Sequence, residues 1–412
     1  MMLKRTYVNN FIILLPIILI FIGEIVAFTH PSISPILKVV SCFILLFPIW
    51  LKVKFPTKLI FLFLVFFVFF IYAFIISFNI KAAIEEGIRY FFPIAILLYG
   101  YYNKDKLDLF INFIIAFAII NIVYQLSNYY DFYVLNVEKQ WFYQEFYAEK
   151  IGKFFYWPAT TNGILRATGL VGFFGAFGIL NFMAYWYTKL YYFGKRRTLF
   201  LYILFVGVFL STSFKTIGFF IVTLLVEYRK KLKYLLIVPF VLIILFITAG
   251  STLRKSILDS VSVRLELYVT ERNSARSESY RVMFDEFKSF NFFGEGIGSF
   301  GGPASTKYDS PFYEKVDFNW YGLESLVTTD TFYPHLFVEM GILGALSYLL
   351  LLLGPLLLHR KIHIKKLKAL LLIYGMLFFD SLFSYSLNNL AMLSVTLLFV
   401  YPIIYYSKEN VL

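Results

Sequence analysis

The chain has 412 residues, 60% of them hydrophobic, 21% aromatic and only 15% charged, a balance that no water-soluble domain carries on its surface. A soluble enzyme is excluded and an integral membrane protein is implied. One cysteine, Cys42, excludes an intrachain disulfide, no Cys/His metal spacing is present, and the formal net charge of +13 has to be read against the bilayer.

Apolar runs long enough to cross a hydrocarbon core of about 30 Å recur from Phe11 to Tyr406. They predict an all-α polytopic integral membrane protein, a single membrane domain over 1–412, with about twelve transmembrane helices. The spans are placed at 11–29, 33–51, 58–79, 88–102, 107–126, 167–188, 198–214, 216–228, 234–250, 331–357, 368–386 and 390–407, the fourth and eighth being short. The first is expected to be retained, because Lys4 and Arg5 precede a long apolar stretch with no small-residue cleavage site.

Short basic loops follow alternate spans: Lys52, Lys54 and Lys58; Lys104 and Lys106; Lys195, Arg196 and Arg197; Arg229, Lys230, Lys231 and Lys233; Arg360, Lys361, Lys365 and Lys366. By the positive-inside preference that side is cytoplasmic, and Lys4, Arg5 and Lys408 place both termini there. These clusters are membrane anchors, and no water-exposed basic module remains to bind nucleic acid. Two hydrophilic segments then lie outside: a first loop over 127–166, and a larger one over 251–330 between spans nine and ten, expected to contain short helices. Both are too aromatic to read as disordered, and long ordered loops are usually functional.

The larger loop contains "RSESYRVMFDEFKSFNFFGEGIGSFGG". A helix over 275–290 would carry Arg276, Tyr280, Phe284 and Phe287 on one stripe, suited to lying along the membrane surface. Its arginines, Arg276 and Arg281, either snorkel to lipid headgroups or bind an anionic ligand. Gly294, Gly296 and Gly298 lack a P-loop Lys-Ser/Thr and a βαβ setting, so they predict a tight turn and no nucleotide site. Asp330 precedes the next span and reads either as a helix cap or as a catalytic carboxylate. His335 and Glu339 share a helical face, but two ligands make no zinc site, and they are expected to bond each other or water. Arg166 stands just outside a span, against the positive-inside preference, and Lys215 sits at the outer boundary, where a lone cation is costly. One anionic ligand at that face accounts for Arg166, Lys215 and Arg276 together.

Four pieces in order, "RATG" at 166–169, "STSFKTIGFF" at 211–220, Arg276 ahead of "FGEGIG", and "DTFYPHLFVEMGILG" at 330–344, resemble the bacterial O-antigen polymerase and O-antigen ligase superfamily. The resemblance covers roughly 166–350. Lys215 stands where the ligases carry Arg and Asp330 where they carry His, which favours a polymerase; Thr331 and Pro334 also depart from the pattern, and His335 falls five residues late for the family histidine.

The resemblance implies a polymerase of the bacterial cytoplasmic (inner) membrane that joins undecaprenyl-pyrophosphate-linked oligosaccharide repeat units into O-antigen or capsular polysaccharide on the outer face. It implies no metal and no cofactor, and a polysaccharide chain-length regulator as a possible partner besides the lipid-linked substrate and the bilayer. Arg166, Lys215, Arg276 and Arg281 would bind the pyrophosphate, Arg276 and Asp330 would act in catalysis, and Tyr280 and His335 would contact glycan. Readings left open are a ligase acting on lipid A core, a glycosidase pairing Asp330 with Glu295 or Asp285, a lipid-linked glycan flippase using the isolated mid-span charges Glu24 and Asp380, and an envelope scaffold.

Overall fold

The computed structural model describes residues 2–27, 30, 32–50, 55–137, 143–148, 153–158, 160–161, 164–229, 255, 275–318, 329, 331–359 and 362–407. The fold is a helical membrane protein. Helices α1 (Met2–Val26), α2 (Ile33–Trp50), α3 (Thr57–Ile75), α4 (Ile80–Tyr102) and α5 (Leu107–Tyr133) are followed by two antiparallel hairpins, β1–β2 (Tyr143–Ala148, Lys153–Pro158) and β3–β4 (Thr160–Thr161, Ile164–Leu165). Then come α6 (Phe174–Tyr191), α7 (Arg197–Leu210), α8 (Phe214–Glu227), α9 (Ala275–Lys288), α10 (Pro303–Lys307), α11 (Phe312–Lys315), α12 (Phe332–Leu358), α13 (Ile364–Ser381), α14 (Leu390–Val395) and α15 (Val400–Tyr405). Four of the described helices are long and apolar enough to cross a membrane: Asn9–Val26, Thr57–Ile75, Leu107–Tyr133 and Phe332–Leu358. The span expected at 234–250 lies outside the described residues.

Three differences from the hydropathy reading have local causes. Helix α4 begins at Ile80 and not near 88, because Asn79 caps it by accepting from the Lys81 amide and because its charged first turns are neutralised by pairing. The first hydrophilic segment holds hairpins where an all-α chain was expected. The last span is broken into α14, a 3-10 turn at Leu397–Phe399 and α15, with Thr396 bonded back to the Met392 carbonyl.

Helix α6 is buried on nearly every side and forms the centre of the core. Tyr187 donates to the Val395 carbonyl at 2.8 Å and stacks on Phe399 at 4.1 Å, fastening the broken last segment to it. Helix α3, by contrast, exposes Phe61, Leu64, Val68 and Ile75. Such a face is stable against lipid and not against water.

The decisive packing event is a break in α12. Gly341 adopts φ +66° and ψ 179°, and the interrupted helix leaves backbone groups that a bilayer cannot satisfy. The glycine-rich turn supplies them. The amides of Glu295 and Gly296 donate to the Val338 and Glu339 carbonyls at 2.9 and 3.0 Å, and the Leu343 amide donates to Phe292 O at 3.1 Å. The turn is also tied to the α3–α4 corner, because the Ile297 amide donates to Ala73 O and Ser77 Oγ donates to Ile297 O. Residues 275–318 thus cover one end of the helical body, called here the capped end.

Gly296 has φ +95°, and a Cβ there would stand 2.8 Å from the Ser77 Cα. Gly296→Ala is therefore expected to cost about 1–3 kcal/mol, seen as a lower thermal midpoint in detergent. A wild-type midpoint would show that the turn is not clamped as described.

Candidate functional site

Two polar constellations are built at the capped end. In the first, Glu86 on α4 is fully buried. Its carboxylate accepts Arg89 Nη1 at 2.5 Å on one oxygen and, on the other, the Tyr385 hydroxyl at 2.8 Å and Asn388 Nδ2 at 3.5 Å. Arg89 spans back to Glu85 at 3.1 Å, and Glu85 also pairs with Lys307 of α10 at 3.1 Å. The bond to Glu85 raises the Lys307 pKa. Helix α4, the covering segment and the α13–α14 connection are thereby joined by one charge network.

Glu339 on α12 is the second buried carboxylate. One oxygen accepts the amides of Gly298 and Phe300 at 2.8 and 3.3 Å, and the other accepts the Tyr90 hydroxyl at 2.9 Å. His335 lies between the two carboxylates. Its Nδ1 donates to the Phe300 carbonyl at 2.6 Å, its ring stacks on Tyr90 with 5.4 Å between centroids, and it stands 3.4 Å from Glu86 and 3.5 Å from Glu339. The expected glycan contact of His335 is therefore corrected: the ring is fully buried and braces the covering segment.

The second constellation contains Lys215, the first residue after Phe214 at the start of α8. Its ammonium lies 2.7 Å from Oδ1 of Asp380, a fully buried residue of α13, while Ser384 and Ser386 donate to Oδ2. The lone boundary cation Lys215 and the isolated mid-span charge Asp380 are thus partners. Glu24 is likewise paired, with Lys38 at 2.9 Å.

Arg166 places its guanidinium 3.1 Å from the centre of the Phe174 ring at the start of α6. The "RATG" segment behind it is held by α5, because Gln125 and Asn121 accept the Gly169 and Leu170 amides. Leu165 packs on Tyr129, whose hydroxyl donates to Leu210 O beside the α7–α8 turn. These contacts put the Arg166 and Lys215 segments in one neighbourhood.

Helix α9 docks on the body by a face next to the Arg276, Tyr280, Phe284 and Phe287 stripe, and Phe284 of that stripe is exposed. Its buried face is Ala275, Ser279, Val282 and Met283, one residue out of phase with Arg276, Tyr280, Phe284 and Phe287. Small Ala275 and Ser279 let the helix approach closely, and Phe287 reaches Phe337 of α12 at 5.1 Å. Tyr280 is half-buried, donates to the Leu382 carbonyl at 2.8 Å, and has its pKa pushed up to about 12 by burial. Arg276 lies one turn earlier, close enough to act on Tyr280 electrostatically.

Arg281 points elsewhere. It pairs with Glu278 and Asp285 and donates to the Val316 and Asp317 carbonyls, so its guanidinium fastens α9 to the segment after α11. This brace is the role its contacts show, apart from the pyrophosphate binding expected of it.

Asp330 lies outside the described residues. Its neighbours are placed: Thr329 and Thr331 are buried, and the Thr329 amide donates to Gly301 O at 3.0 Å. The residue with N-cap geometry on α12 is Thr331. Beside them, α10 and α11 line an open cavity of about 370 Å³ whose walls include Ser305, Thr306, Asp309, Pro311, Tyr313 and Glu314. Tyr313 at its base is pushed up to about 12 by burial.

Sequence reasoning missed Glu86, Arg89 and Asp380 as pairing groups. The "EEGIR" spacing of Glu85, Glu86 and Arg89 was the available signal, since i,i+3 and i,i+4 charges face one another on a helix. Among the described residues no group of three His, Cys, Asp or Glu is placed to hold a metal ion. No protein-family model matches the chain, and no curated protein matches it.

Glu86→Ala removes one partner from a buried charge network and is expected to cost about 3–5 kcal/mol, whereas Arg281→Ala at a half-exposed pair should cost about 1 kcal/mol or less. Thermal unfolding of the two purified variants compares them directly. Equal midpoints would mean that the buried network does not hold the capped end.

Proposed function

We propose that the protein is a polysaccharide polymerase of the bacterial cytoplasmic membrane, joining oligosaccharide repeat units carried on undecaprenyl pyrophosphate. In this reading about twelve spans cross the bilayer, both termini are cytoplasmic, and the capped end faces outward. At the opposite end Lys104 lies over the Tyr101 and Tyr405 rings, and Lys189 and Lys368 pair with Glu227, as interfacial anchors do.

The observation that carries the reading is that the elements bearing two of the resemblance's cations dock on the same end of α13: Lys215 through Asp380, and the Arg276 helix through Tyr280 on Leu382. A lipid pyrophosphate is a good, multiply anionic leaving group, so positioned cations at the boundary are the main catalytic requirement. The acceptor hydroxyl attacks the donor's anomeric carbon. The new glycosidic C–O bond forms as the bond to the pyrophosphate oxygen breaks, the electron pair leaves on the lipid pyrophosphate, and the hydroxyl proton passes to Asp330. The cavity lined by Asp309 and Glu314 offers hydroxyl-binding groups beside Thr329 and the acceptor side of that step.

A flippase would use unpaired mid-span charges. Glu24 and Asp380, its two candidates, are each ion-paired. The ligase remains the nearer alternative and is separated by phenotype: deletion leaves single-unit surface glycan for a polymerase and removes all lipid A-linked glycan for a ligase.

Asp330→Asn should express normally and slow elongation by roughly a hundredfold or more, read as glycan length on gels. Arg276→Ala should abolish elongation and Arg276→Lys should restore little of it, because the two-pronged contact is lost; Lys215→Arg should be tolerated better than Lys215→Ala. Wild-type polymer from normally expressed Asp330→Asn and Arg276→Ala would overturn the assignment. For orientation, Lys288→Cys, exposed on α9, should react with an impermeant thiol reagent on intact spheroplasts; reaction only after permeabilisation would invert the topology.

A further inference from the structure

We infer that Asp380 is a positioning residue: its carboxylate holds the Lys215 ammonium at the membrane boundary so that its remaining N–H groups meet a phosphate of a lipid-linked substrate. This rests on the polymerase reading above and assigns a role to a residue that the resemblance does not include.

The geometry begins with register. Phe219, one turn along α8 from Lys215, stacks on Phe379 of α13 with 5.4 Å between centroids and 24° between planes. Its ring tip lies against Gly375, where a Cβ would stand 3.0 Å away. This contact fixes the two helices in depth, and Lys215 and Asp380 meet at the end of the contact. Asp380 is fully buried and Lys215 keeps 16% of its side chain exposed, so the pair is asymmetric. The anion is sealed in protein and the cation looks out.

Asp380 is also fixed in orientation. Oδ2 takes both the Ser384 and Ser386 hydroxyls, so the carboxylate cannot turn without breaking those bonds, and Oδ1 faces the Lys215 ammonium as an ion pair. An ammonium has three N–H groups. Among the described residues Asp380 is its one charged partner, which leaves donors for a ligand.

The alternative is a purely structural pair. Energetics argue against it, because a buried ion pair is no better at holding two helices than a packed apolar pair of the same size. The Phe219–Phe379 stack already holds these helices together. What a fixed carboxylate adds is direction. The same turn of α13 takes the Tyr280 hydroxyl on Leu382 O, one helical turn from Arg276, so α13 orients the second cation-bearing element as well. An anion seated there meets the Lys215 ammonium, and the helix that carries Arg276 docks on the same helix end. A headgroup phosphate of a bulk lipid and the pyrophosphate of a carrier share this chemistry, and the test separates them.

The probe is farnesyl pyrophosphate, with farnesol and a phosphatidylglycerol micelle as controls, bound to purified protein in detergent. Wild type should prefer farnesyl pyrophosphate to farnesol. Asp380→Asn should weaken farnesyl pyrophosphate binding by roughly tenfold or more and leave farnesol binding unchanged. Because Asp380→Asn leaves a buried cation unpaired and risks misfolding, the double variant Lys215→Met, Asp380→Leu is measured too. It should unfold near the wild-type temperature yet lose farnesyl pyrophosphate binding at least as far. Wild-type affinity in folded Asp380→Asn, or in the double variant, would make the pair structural and overturn the inference while leaving the polymerase reading standing. Competition by phosphatidylglycerol as strong as by farnesyl pyrophosphate would assign the site to bulk lipid and overturn it as well. A wild type that does not distinguish farnesyl pyrophosphate from farnesol would overturn the polymerase reading itself.

Discussion

The capped end depends on the repair of one broken helix. A polypeptide at membrane depth cannot leave backbone N–H and C=O groups unpaired, since each costs several kcal/mol away from water. The break at Gly341 creates such groups in α12, and residues 291–297 fill them by lying into the gap. The same insertion brings the Gly298 and Phe300 amides onto the Glu339 carboxylate, the Phe300 carbonyl onto His335, and the Gly301 carbonyl onto Thr329. One backbone constraint therefore positions the floor of the covering segment and the residues on either side of Asp330.

Glu86 fastens that floor to the rest of the body. It collects Arg89 from its own helix and Tyr385 and Asn388 from the α13–α14 connection, and its carboxyl group lies close against Gly302 of the covering segment. Removing a partner from a buried charge network is far more costly than the network is stabilising, so its value is in fixing geometry. The end of α13 is fixed by it on one side through Tyr385 and carries Asp380 and Leu382 on the other. The segment that presents Lys215 and Arg276 inherits its rigidity from there.

Much of this was legible in the sequence and some was not. The four membrane-length helices were legible from apolar length, since burial in lipid selects composition over long windows, and "GEGIG" announced a turn because only glycine takes positive φ there without strain. The partner of that turn was hidden: "VEMGILG" reads as an uninterrupted apolar helix, and nothing local marks Gly341 as a break. The face of α9 that packs on the body was not read, because aromatic spacing drew attention away from Ala275 and Ser279, whose small size lets that face approach α12. Charges were judged singly. Lys215 and Asp380 are far apart in the chain, and only the fold shows that each answers the other. His335 was mistaken for a surface contact because a polar residue at a span entry resembles a ligand, whereas its ring is spent on the Phe300 carbonyl and Tyr90.

Glycan transfer on a lipid pyrophosphate is the activity proposed for this arrangement. Purified protein in liposomes, supplied with synthetic repeat units on undecaprenyl pyrophosphate and no nucleotide or metal, tests it by following glycan length and the free carrier together. Longer glycans are expected, with one undecaprenyl pyrophosphate released for each linkage made. Repeat units that cross the bilayer unlengthened, or that remain unchanged while the protein is folded, would contradict it.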